Sequence, residues 1–136
     1  MATTRFRGPV LQGKFNEAGE TGFNLNEKKV ATAVAIGDSG MTFTSPSGSP
    51  TFTLPAVAAN EGSVFTFVNT GSDGSNGIVV TGAAGEYIIY KGVVAQITLT
   101  NTAATSKVGD FVKIGGNAGG TAWTVLDIQG TWAYLN

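Results

Sequence analysis

The chain has 136 residues, of which 42% are hydrophobic and only 12% charged, a formal net charge of −1, and neither histidine nor cysteine. That length fits one ordinary domain, and the near-neutral charge gives no general attraction for nucleic acid, whose phosphates are met by Lys and Arg. Without thiols there can be no disulfide framework or thiolate metal site; without imidazole the commonest general base and metal ligand are missing, so the composition points away from an enzyme and from any cofactor.

Residues 1–28 carry Gly8, Pro9, Gly13, Gly19 and Gly22 among isolated apolar residues and sustain no strand or helix period. They are expected to form an irregular N-terminal arm ahead of a single β domain over 29–136. Phe6, Phe15 and Phe23 are costly to leave in water, so the arm either folds back on its own domain or reaches across a neighbouring subunit. There is no apolar leader at the start and no apolar run near the roughly 18 residues of a membrane span; the expectation is a soluble protein made in the cytoplasm, with no membrane partner.

From Val30 onward, short runs of β-branched and aromatic residues alternate with Gly, Ser, Pro and Asn clusters. Strands are predicted over 30–36, 41–45, 51–54, 64–69, 77–81, 86–90, 96–100, 111–114, 123–128 and 131–135. Thr51-Phe52-Thr53-Leu54 and Val64-Phe65-Thr66-Phe67-Val68 place apolar side chains on one face and threonine on the other, as a half-buried strand requires. Asp38-Ser39-Gly40 reads as a turn entering the strand at Met41, and residues 56–60 as one short helical turn after Pro55. The connectors over 45–50, 71–77 and 115–120 have turn chemistry, and Gln129-Gly130 marks a tight turn in a C-terminal hairpin region. The fold class predicted is all-β: a compact β-sandwich, jelly roll or barrel of short antiparallel strands with an extended N-terminal arm.

Charged fractions near 25% are usual, so here Thr, Ser, Asn and Gly must clothe the surface, which suits a subunit packed beside copies of itself as well as a plain threonine-rich β protein. The tetrad Gly37-Asp38-Ser39-Gly40 matches the surroundings of a serine-protease nucleophile, but no imidazole exists to take the serine proton. The nine acidic residues are scattered singly, which does not suggest a glycosidase pair. Asp73 and Asn76 could offer two oxygen ligands to Ca²⁺ but lack the rest of a calcium loop. Residues 115–120 lack the spacing of a dinucleotide fingerprint. Trp123 and Trp132 either pack in the core or at a subunit contact, or form a stacking platform for glycans.

Asp38-Ser39-Gly40 followed by a strand, then Thr51-Phe52-Thr53-Leu54-Pro55, then Glu61-Gly62-Ser63-Val64-Phe65-Thr66-Phe67-Val68-Asn69-Thr70-Gly71, resemble a pattern of phage virion proteins, among them capsid decoration proteins and tail-fibre modules. Gly109-Asp110-Phe111-Val112, Thr131-Trp132 and the opening Met1-Ala2-Thr3-Thr4-Arg5-Phe6-Arg7-Gly8-Pro9-Val10 are similar to the same group. The resemblance implies a decoration, or cement, protein on the outer capsid surface: a β-rich homo-oligomer, with a trimer favoured, binding the major capsid protein where its subunits meet. Arg5, Phe6, Arg7, Pro9, Val10, Leu11 and Phe15 would then dock the arm on the shell or on a sister subunit. The alternative is a tail-fibre or adhesion module that binds host glycans.

Overall fold

The computed structural model describes residues 25–92 and 97–134. Its strands are β1 (Leu25–Glu27), β2 (Thr32–Ala33), β3 (Thr42–Ser45), β4 (Thr51–Thr53), β5 (Val64–Asn69), β6 (Ile78–Thr81), β7 (Tyr87–Ile89), β8 (Thr98–Asn101), β9 (Phe111–Gly116), β10 (Ala122–Gln129) and β11 (Ala133–Tyr134). The helical elements among the described residues are single 3-10 turns at Ile36–Asp38, Val57–Ala59 and Ala103–Thr105. The protein is therefore all-β, in two sheets of order β1-β3-β5-β9-β10-β7 and β11-β8-β6-β4-β2. Both sheets stay open, so the described residues close no barrel.

The antiparallel expectation is corrected, because both sheets are mixed. From β1 to β6 the chain alternates between them, and each strand lies parallel to the one two places earlier. The cause is in the connectors: 46–50 and 54–63 carry the chain across to the facing sheet instead of turning it back beside the strand just finished. Parallel neighbours always need such a crossover. Antiparallel pairing begins where β8 returns beside β6 and β9 beside β5, and continues in β9/β10 and β8/β11. Among the described residues, strand β7 joins its sheet only as the parallel neighbour of β10.

Alternation of burial along each strand sets the core between the sheets. In β5, Phe65, Phe67 and Asn69 point inward and Val64, Thr66 and Val68 outward. Phe43 stacks on its register partner Phe67 with centroids 5.5 Å apart, and Phe52 from the facing sheet closes the triad at 5.4 Å and 4.9 Å. Fully burying such a ring contributes about 1.5–3 kcal/mol over leaving it exposed, so this triad fastens the sheets at mid-height. Nearer one margin, Phe65 meets Trp123 at 5.6 Å.

The opposite margin is polar. Ser45, Asn69, Asn76, Asn101 and Asp110 are all buried. Asn69 Nδ2 donates to the Asn76 carbonyl and to Asn101 Oδ1, while its Oδ1 accepts from Gly71 N and Asn76 Nδ2. Asn76 Nδ2 also donates to the Ser45 carbonyl, and Asn101 Nδ2 to Asp110 Oδ2. Since β5 and β8 lie in different sheets, the network ties one sheet to the other. Each member is partnered, which is the condition for polar groups to be tolerated in a dry interior.

Four local expectations change. Leu25–Glu27, assigned to an irregular arm, form edge strand β1 beside β3. The strand predicted over 30–36 shrinks to Thr32–Ala33, because Ile36–Asp38 wind into a 3-10 turn in which Asp38 Oδ2 accepts from Ala35 N. Gly115 and Gly116 belong to β9 instead of a loop. Gly130 (φ 100°) does turn the chain, but β10 and β11 then enter different sheets and are not a hairpin. The turns at Asp38-Ser39-Gly40 and after Pro55 form where expected, with Gly40 at φ 86° and the 3-10 turn at Val57–Ala59.

Candidate contact surface

The arm residues Arg5, Phe6, Arg7, Pro9, Val10, Leu11 and Phe15 lie outside the described residues. Within the described residues the feature that stands out is the outer face of the five-stranded sheet. Its strands contain no charged residue. Because Phe52, Val80 and Leu99 point inward, their neighbours point out, and the registers align them in two rungs. One runs Ala33, Thr53, Thr81, Thr98; the other runs Thr51, Val79, Thr100, Ala133. Two Thr-x-Thr strands and one Val-x-Thr strand thus become a surface of methyls and hydroxyls.

The hydroxyls are partly committed to each other. Thr81 Oγ1 and Thr98 Oγ1 are 3.0 Å apart, and Thr81 Oγ1 also donates to the Ile97 carbonyl. Thr100 Oγ1 is buried without a partner among the described residues. Such a face is cheap to dehydrate, since no ion must be stripped of water. Five strands about 4.8 Å apart and about four residues of about 3.3 Å give it an area of roughly 250 Å². A stable protein contact buries about 800 Å² on each partner, so this face alone makes a weak contact.

The other sheet's outer face is mixed. It carries Glu27, Lys113 and Asp127 with Val64, Val68, Phe111 and Leu126. Leu126 sits at the bulge in β10 and lies over Gly115, where a Cβ would come within 2.9 Å of its Cδ1.

Residues weighed for chemistry are held in structural roles. Ser39 Oγ accepts from Val64 N. Glu86 accepts from Val57 N through both carboxylate oxygens, capping a 3-10 turn. Asp110 Oδ2 accepts from Lys107 N as well as Asn101. Asp73 accepts from Val108 N and pairs with Lys107 at 3.5 Å; the backbone bond, with the Lys107 charge adding to it, lowers its pKa. Asn76 Oδ1 accepts from Ser49 N, so the oxygen considered for Ca²⁺ faces the interior while Asp73 is on the surface. Trp123 and Trp132 are buried, the latter donating Nε1 to the Gln129 carbonyl. Neither indole presents a stacking face. Among the described residues no three acidic side chains gather as a metal site, and no helix is long and apolar enough to cross a membrane.

Sequence reasoning noticed the threonine alternation but not its alignment into rungs, and it missed the asparagine network. A signal for the latter was present: Asn69-Thr70 and Asn101-Thr102 repeat the same pair at the ends of β5 and β8. No protein-family model matches the chain, and no curated protein matches it.

Proposed function

We propose that this chain is a structural virion protein, a decoration or cement protein that sits on the outer capsid surface between major capsid protein subunits and stabilises the head. The observation that carries the reading is the charge-free threonine, valine and alanine face of the five-stranded sheet, a surface suited to lying against another protein. Because one such face is small, function requires several to engage together. In a homotrimer, binding by one subunit presents the next to the shell at an effective concentration in the millimolar range, and cyclic symmetry matches the local symmetry of a capsid lattice. The two packed sheets are the scaffold that holds the face in place, with Phe43, Phe52 and Phe67 between them. The glycan-binding alternative gains no support from the buried Trp123 and Trp132.

The test is binding of purified chain to virions or shells that lack it. Thr53→Lys with Thr81→Lys places two charges on the face without touching the core, and shell binding is expected to fall at least tenfold with unchanged circular dichroism. Lys113→Glu, on the other sheet, is expected to bind as the parent does. Undiminished binding by the double variant, or location of the chain on the tail in a virion reconstruction, overturns the reading.

A further inference from the structure

The two lateral ends of the paired sheets are finished differently. At one, the Tyr134 hydroxyl of β11 lies within hydrogen-bond reach of the Ile88 and Tyr90 carbonyls, and the Tyr90 and Tyr134 rings meet edge-on at 5.9 Å. At the other, β1 and β2 are both edges, and Leu25, Val30 and Ile36 are 54%, 69% and 61% exposed. Lys28 N donates to the Thr44 carbonyl and Val34 N to the Thr53 carbonyl. In a parallel ladder successive residues address opposite neighbours, so Leu25, Glu27 and Ala33 turn their N–H and C=O groups to the open side. Among the described residues these are two adjacent unpaired edges with apolar side chains around them, a template for another strand.

We propose that the segment preceding Leu25 in the same polypeptide, residues 1–24, docks across this open end and covers both edges. Chain length fits. In the six-stranded sheet, Leu25 lies beside Thr42, seventeen positions further on, and Thr42 beside Thr66, twenty-four further on. In the facing sheet Thr32 lies beside Phe52, twenty positions further on. Twenty-four residues that join directly at the edge can span both edges once more. Phe6, Val10, Leu11, Phe15 and Phe23 supply apolar groups to match Leu25, Val30 and Ile36, which are more than half exposed. Covalent continuity favours the chain's own segment over that of a second copy, because it holds the segment beside the edge at every dilution.

Amide hydrogen exchange on the full chain tests this without a virion, so its result is independent of the capsid reading. Leu25, Glu27 and Ala33 amides are expected to be protected equally at low and high protein concentration. In a variant lacking residues 1–20 they are expected to exchange at least about 100-fold faster, while Val112 in the core is unchanged. A full-length Phe6→Ser/Phe15→Ser variant is expected to show the same selective loss if the truncated chain proves unstable. Unprotected amides at the three positions, rates unmoved by both variants, or protection that appears only as concentration rises, which would assign the edge to a second copy, each overturn the proposal.

Discussion

Replacing Asn69 by leucine keeps the size of a fully buried side chain and makes it apolar, yet it is expected to be among the most damaging single changes in the domain. The wild-type side chain makes four hydrogen bonds. Leucine leaves the Gly71 N–H, the Asn101 Oδ1 and the Asn76 carbonyl without those partners in a space that excludes water. At about 1–3 kcal/mol for each orphaned group, discounted for relaxation, the loss is about 3–6 kcal/mol. That is a large part of the 5–15 kcal/mol by which domains are stable. Phe67→Leu, which thins the aromatic triad but orphans nothing, is expected to cost roughly 1–3 kcal/mol. Urea unfolding followed by tryptophan fluorescence separates them: with a slope of about 1–3 kcal/mol per molar, Asn69→Leu is expected to lower the midpoint by about 2 M or to leave the chain unfolded. An Asn69→Leu midpoint within about 0.3 M of the parent, at the same slope, would show that the polar margin does not hold the sheets together.

Two further outcomes follow from particular contacts. At Gly116 a Cβ would meet the Asn60 carbonyl oxygen at 2.5 Å, whereas at Gly115 it would meet the movable end of the exposed Leu126. Thermal melts are therefore expected to show Gly116→Ala destabilised by more than about 2 kcal/mol and Gly115→Ala by less than about 1 kcal/mol. Burial raises the Tyr134 pKa above that of a free phenol. The folded state thus holds the proton more tightly than the unfolded state, so the stability Tyr134 contributes is fully present below about pH 10 and is lost as pH rises through the folded pKa. Unfolding midpoints measured from pH 8 to 11.5 are expected to fall more steeply for the parent than for Tyr134→Phe.

Much of the fold is legible wherever one face of a strand is apolar and the other is threonine. Val64–Asn69 comes out of the sequence with its bounds intact because Phe65 and Phe67 leave no other way to hide two rings. Leu25–Glu27 carries no such pattern: a three-residue strand with Asn at its centre exists only because β3 offers it a ladder. Parallel pairing was beyond local reading, since partners lie seventeen or more residues apart and a strand's own alternation is the same whichever way its neighbour runs. The buried asparagines were hidden for a different reason: the chemistry that suits Asn to turns also suits it to satisfying four groups inside. The charge-free face was visible as a lack of Lys and Glu in strands 51–53, 78–81 and 98–101, but the rungs needed the register.

Among the described residues, strand β7 is attached to its sheet through β10 alone, and β10 begins thirty-three residues after β7 ends. During synthesis, then, Tyr87–Ile89 leave the ribosome with no ladder to join and wait until Ala122–Gln129 have also emerged. The six-stranded sheet cannot be completed vectorially. The nascent polypeptide gains the β7 ladder only after thirty-three further residues have been made, and a ribosome stalled between these two segments would hold out an unclaimed Tyr-Ile-Ile run to whatever chaperone or neighbouring chain is near.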